Sequence, residues 1–134
     1  MIECSLKTDN LIGMHGTSTY SKNGKRYPGV GAIMSMIKFA VNKDYEVVGK
    51  PSFNFYDKAR DLISLDFKEI TVISDDMIGD LLGAQKLNMH SCLVLSGKVR
   101  SEEEILNTLS KNEIPKNICK EMSDVLELLK KGEI

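Results

Sequence analysis

The sequence has no excess of either charge, no long apolar run and no cysteine spacing suited to pairing. Lysine and arginine total 18 against 19 acidic residues, a formal net charge of -1. Without a basic field nothing draws in nucleic acid or an anionic membrane, and neither is expected as a partner. No stretch approaches the roughly 20 apolar residues of a membrane span, and the polar start MIECSLKTDN carries no secretory leader. Cys4, Cys92 and Cys119 are an odd number at wide spacings without a CxxC pair. Reduced thiols and a cytoplasmic location are therefore expected. Internal repeats and low-complexity tracts are absent too. What remains is an ordinary globular composition, 42% hydrophobic and 28% charged over 134 residues, enough for one domain that buries roughly two thirds of its unfolded surface.

Short apolar runs alternate with amphipathic segments, the pattern of an α/β fold with a parallel sheet and flanking helices. Leu11 to Met14 fits a short strand. Ser18 to Tyr27 fits a hairpin turning at Asn23-Gly24, a dipeptide favoured where both turn residues need positive φ. After Pro28-Gly29-Val30-Gly31, the apolar residues Ile33, Met36, Ile37 and Ala40 recur at helical spacing and predict a helix from Ala32 to Val41. A strand at Glu46 to Val48 follows. Gly49-Lys50-Pro51-Ser52 then opens a second helix with Phe55, Ala59, Leu62 and Ile63 as its inner face. Next come a strand at Glu69 to Ile73, a helix at Gly79 to Leu87 and a strand at Ser91 to Leu95, giving the order βαβαβ. Ser101 with Glu104 reads as a capping box. Asn117 to Cys119 reads as a last strand, before a helix at Ser123 to Lys131 with the apolar stripe Val125, Leu128 and Leu129.

Chemistry concentrates in ITVISDDMIGDLLGA, where Asp75, Asp76 and Asp80 follow a β-branched strand. Open α/β sheets bind ligands beyond the carboxyl ends of their strands, where Asp75 emerges. Oxygen ligands there suit Mg²⁺, which typically takes one or two protein carboxylates and keeps waters or phosphate oxygens in its other positions. Asp75 is best placed as a metal ligand, with Asp76 and Asp80, four residues apart, as supports. The competing reading is that these acids only cap and charge-match a helix N-terminus. Lys50 also sits at the end of an expected strand, where it suits a phosphate as a compact point charge; the competing reading is a solvated lysine. His15 and His90 lack partners at metal-ligand spacing. Cys92 reads as core. At least one of Met34 and Met36 reads as packing. Lys22, Lys25 and Arg26 flank the hairpin turn, either solvated or facing an anionic substrate.

Together, VVGKPSFNFYDKA and VISDDMIGDLLGAQKLNMHSCLVLSGK resemble the haloacid dehalogenase-like (HAD) hydrolases. The similarity is to the branch with a large α/β cap, which holds NagD-like, nitrophenylphosphatase-like and phospholysine phosphohistidine pyrophosphatase-like enzymes. It runs from about Leu11 to the C-terminus. The resemblance implies a partial Rossmann-like sheet, the C-terminal part of a HAD core, over 29–134, preceded by a cap remnant with a hairpin over 1–28. It implies Lys50 as the lysine that binds phosphate and steadies an aspartyl intermediate, Asp75 as the Mg²⁺ ligand, and Asp76 and Asp80 in support.

Two departures accompany it. Ser74 stands where the family usually has glycine, and no Asp-x-Asp-Gly motif, whose leading aspartate is the family's nucleophile, occurs in the sequence. The family's Ser/Thr of the second motif has no counterpart ahead of the cap region either. In the family the nucleophile strand lies beside the strand ending at Asp75, so an open apolar edge is expected there. The expected activity is that of the C-terminal part of a Mg²⁺-dependent phosphatase, inactive alone. Its expected partners are a small phosphorylated substrate once complemented, and either itself or a complementing N-terminal half. The alternative is a non-enzymatic metal- or phosphate-binding or interaction domain with the same fold. A response-regulator receiver domain is disfavoured, because its acidic pair precedes its lysine whereas Lys50 precedes Asp75.

Overall fold

The computed structural model describes the whole chain, Met1–Ile134, which divides into two compact units, Met1–Asp57 and Lys58–Ile134. No helix in it is long and apolar enough to cross a membrane.

The first unit contains α1 (Ile2–Leu6), β1 (Ile12–Gly13), the hairpin strands β2 (Thr19–Lys22) and β3 (Lys25–Pro28), α2 (Val30–Val41) and β4 (Glu46–Val47). Met34, Ile37 and Val41 recur along one face of α2 and form its core with Ile2, Leu11, Val30, Ile33 and Tyr45. Met36, on the other face, is exposed. β1 and β4 pair in parallel, Ile12 opposite Glu46 and Gly13 opposite Val47. Asn23 and Gly24 take φ of 52° and 71°, the double left-handed turn that matches strand twist in a two-residue hairpin. The polar N-terminal segment is helical, and Lys43 Nζ secures its end by donating to the carbonyls of Ser5, Leu6 and Thr8 at 3.3, 2.8 and 2.7 Å.

α3 (Phe53–Ile63) runs from the first unit into the second. The second unit continues with a 3₁₀ turn at Phe67–Glu69, β5 (Thr71–Ser74), a π turn at Met77–Leu81, α4 (Leu82–Lys86) and β6 (His90–Val94). It closes with α5 (Glu102–Leu106), a 3₁₀ turn at Lys111–Glu113, β7 (Asn117–Cys119) and α6 (Met122–Lys131). Its sheet is parallel, in the order β5-β6-β7. β6 is buried on both faces, which explains its unbroken apolar run. Leu93 packs with Met77, Leu81 and Ile105 on one side, and Cys92 and Val94 with Cys119 and Val125 on the other. Val72 and Ile73 of β5 join these two clusters on opposite faces.

The α/β class stands, but several expectations change. The βαβαβ run is not one hydrogen-bonded sheet, because β4 pairs with β1 and β5 with β6. Glu69 lies outside β5; its carboxylate accepts the Asp66 N–H at 2.8 Å and closes a 3₁₀ turn instead. The helix expected from Gly79 starts earlier as a π turn. The expected inner face of α3 is turned outward, with Leu62 77% and Ile63 52% exposed and Tyr56 buried in its place. Ser101 heads α5 without forming the capping box. In α6, Val125 is buried but Leu129 is not.

Candidate metal and phosphate site

Three side chains organise the turn after β5. Ser74, the last residue of that strand, accepts the Asp76 N–H at 3.1 Å and donates to Asp80 Oδ2 at 2.7 Å. One hydroxyl thus holds both ends of the turn, which is what serine adds where a glycine would leave only backbone. Asp76 caps the π turn, its Oδ1 accepting the Gly79 N–H at 2.8 Å. Its carbonyl receives both the Asp80 and Leu81 N–H groups, at 3.0 and 3.2 Å, which widens the turn. A Cβ at Gly79 would run into the Asp76 carboxylate, so the cap needs glycine there.

Asp75 is held differently. Its Oδ2 accepts the Lys98 N–H at 2.8 Å and its carbonyl the Val99 N–H at 3.3 Å. Both donors belong to the loop leaving β6, the neighbouring parallel strand. A Cβ at Gly97 would collide with the Asp75 carboxylate, so Gly97 makes room for this approach. Lys98 turns its ammonium the other way and ion-pairs with Asp76 Oδ2, the two side chains being 50% and 18% exposed.

Asp76 and Asp80 are therefore occupied within the turn, whereas Asp75 is anchored by one oxygen and has Oδ1 without a hydrogen bond. No three His, Cys, Asp or Glu side chains converge as a ready-made metal site. The residues fit a hard cation that takes a single protein carboxylate and completes its sphere with water and phosphate oxygens. They do not fit a closed protein cage.

Lys50 lies in the first unit, exposed, just beyond β4 in a cis peptide with Pro51. Its carbonyl accepts the Gly16 N–H at 3.0 Å, joining the segments that leave β1 and β4. His15, in that first segment, has a buried Nδ1 without a hydrogen-bond partner. His90 is exposed and starts β6. Lys98 is the residue that sequence reasoning passed over. The available signal was Ser96-Gly97-Lys98 placed, like Lys50 and Asp75, just beyond the carboxyl end of a strand.

Over residues 47–125, more than half of the chain, the sequence matches the HAD-hydrolase-like family model. Phospholysine phosphohistidine inorganic pyrophosphate phosphatase of Homo sapiens is 37% identical over 94 residues, which are 70% of this chain and 35% of that protein. The p-nitrophenyl phosphatase of Archaeoglobus fulgidus matches with a TM-score of 0.81 and 22% identity, over 94% of this chain and 49% of its own. A 4-nitrophenylphosphatase of Thermotoga maritima gives 0.79 and 19%, over 94% and 47%. At these identities the structural likeness establishes the fold. The chain spans just over a third of the curated relative and just under half of each solved structure.

Proposed function

Because the chain belongs to the haloacid dehalogenase-like hydrolase family, we propose that it supplies the metal- and phosphate-binding part of a Mg²⁺-dependent phosphatase centre. The observation that carries this reading is Asp75, fixed through Oδ2 by the Lys98 N–H at 2.8 Å while Oδ1 is left to a ligand. Asp75 holds the metal, Asp76 and Asp80 keep the turn in shape, and Lys50 binds the phosphate of a small phosphorylated substrate. When bound, Mg²⁺ offsets charge on the phosphoryl oxygens. A fixed carboxylate loses little freedom on binding it, and a lysine suits a phosphate as a compact point charge.

The family's covalent route also needs a carboxylate nucleophile. The sequence contains no Asp-x-Asp-Gly motif, so this role falls to a complementing N-terminal half, and the chain by itself is proposed to be inactive. In the same reading 1–28 is the remnant of a cap and 29–134 the C-terminal part of the catalytic core. The odd and widely spaced cysteines support a reducing, cytoplasmic setting.

Two measurements test this reading. Titration with Mn²⁺ in place of Mg²⁺, with inorganic phosphate present, should show binding that weakens by at least about tenfold in Asp75→Asn. Asparagine still accepts the Lys98 N–H, so the turn survives that change. Unaltered binding would remove Asp75 from the site. With Mg²⁺ and a generic phosphomonoester the chain should give no turnover, and hydrolysis abolished by Asp75→Asn would overturn the missing-nucleophile claim. The second reading, a non-enzymatic binding domain, rests on that same absent motif; it is favoured if an N-terminal partner carrying Asp-x-Asp-Gly fails to restore hydrolysis.

A further inference from the structure

The tip of the hairpin in the first unit joins a reactive dipeptide to a ribbon that holds it loosely. Of the eight asparagines in the chain, only Asn23 precedes a glycine. Asn23 and Gly24 are both exposed and lie beyond the last pair of the ladder, Lys22 opposite Lys25. A Cβ built on Gly24 would meet nothing within 4 Å, so the space around the turn is open. The base of the hairpin is anchored, the Gly29 N–H donating to the Ser18 carbonyl at 2.8 Å and the Gly31 N–H to that of Thr17 at 2.9 Å. Above that base all eight residues of β2 and β3 are exposed. Like charges directly opposite destabilise a ribbon, and two strands alone are marginal in water. The tip therefore opens at low cost while its base stays in place.

Opening matters because the turn, with φ of 52° and 71° at its two residues, must relax before the Gly24 nitrogen can reach the Asn23 side-chain carbonyl. We propose that Asn23 is a deamidation site of the native protein. Solvent hydroxide takes the Gly24 N–H proton, and the nitrogen attacks Asn23 Cγ. The new C–N bond closes a cyclic imide as the Cγ–Nδ2 bond breaks; Nδ2 leaves as ammonia with a proton from water, which restores the hydroxide. A second water opens the ring at either carbonyl, leaving aspartate or its β-linked isomer at position 23. Glycine, without a Cβ, hinders this closure least, and the ammonium groups of Lys22 and Lys25 favour the anion that forms. The segment TYSKNGKRYP has three cations and no acid. It thereby gains a carboxylate next to its opposed lysines, a one-way change of charge that offsets their repulsion.

The test keeps the full chain folded at mildly alkaline pH and follows it by anion exchange and by mass spectrometry of the chymotryptic peptide 21–27. Asn23 should gain one mass unit at a rate proportional to hydroxide, with a matching acidic shift of the whole chain. Asn42 is an internal control, exposed and with the same φ of 52° but followed by Lys43. Asn23 should convert at least about tenfold faster, the effect of a missing Cβ on the barrier to closure. The chain unfolded in urea supplies the reference for an unrestrained turn, and native Asn23 should react within about tenfold of it, because the tip opens cheaply. Asn23→Gly keeps a residue suited to positive φ and should abolish the early acidic shift. The proposal is overturned if native Asn23 reacts no faster than Asn42, if its rate lies further below that of the unfolded chain, or if the acidic shift persists in Asn23→Gly.

Discussion

Ser74 shows how much one side chain decides at the acidic turn. Its hydroxyl serves the Asp76 N–H and the Asp80 carboxylate together. Ser74→Ala should cost about 1.5–3 kcal/mol, the range for losing a hydrogen bond to a charged group, measured as a shift in the urea midpoint; an unmoved midpoint would show the network to be idle. Cys92 makes a second case. Burial first, and then its hydrogen bond with Cys119 at 3.8 Å, pushes this thiol up from 9.0 to about 12. A folded value above the unfolded one stabilises the fold fully below pH 9.0, and that contribution is lost as the pH climbs toward about 12. A thiol reagent near neutrality should therefore label exposed Cys4 in the native chain, and all three cysteines after unfolding. Rapid native labelling of Cys92 would contradict its burial. The acidic turn and the place of Asp75 at the strand end were legible in the sequence, but the hydrogen bonds that tie Asp76 and Asp80 to Ser74 and Asp75 to Lys98 were not.

Among the elements, the strands with continuous β-branched or apolar runs were the most legible and the amphipathic helices the least. β6 reads as central from Cys92-Leu93-Val94, and all three are buried. For α3 the pattern Phe55, Ala59, Leu62, Ile63 describes a helix correctly yet points to the wrong face, because periodicity identifies a stripe without identifying what covers it. The contrast is measurable. Leu93→Ala should destabilise the fold by about 2–5 kcal/mol, whereas Leu62→Ala, at a site 77% exposed, should stay within about 0.5 kcal/mol. Equal effects at the two positions would place α3 against a surface that the structure does not show. The boundaries moved where side chains competed with the ladder, as Glu69 does by closing its own 3₁₀ turn.

For the whole molecule, the feature of most consequence is the free edge of β5. It pairs only with β6, its four residues Thr71–Ser74 are all half-buried, and it lacks the charge, proline or bulge that usually protects an edge. Such an edge favours association. Sedimentation of the chain is expected to show self-association or a marginally stable species; a compact monomer with a high melting temperature would count against it. The family resemblance was legible because it rests on contiguous motifs around Lys50 and Asp75. The division into Met1–Asp57 and Lys58–Ile134 was not, since it depends on which residues far apart in sequence come together.

By itself, the sequence determined the α/β class, the family, the hairpin at Asn23-Gly24 and the presence of a three-aspartate turn directly after a β-branched strand. These follow from periodicity, turn chemistry and short motifs, all of which act over a few residues. Only the tertiary structure decided that Asp75 is the carboxylate left open, that Lys98 steadies it from the next strand, and that β4 and β5 belong to different hydrogen-bonded sheets. Those outcomes depend on hydrogen bonds between residues far apart in sequence, such as Lys98 and Asp75, 23 positions apart, and local pattern carries no information about which distant backbone group will arrive to make them.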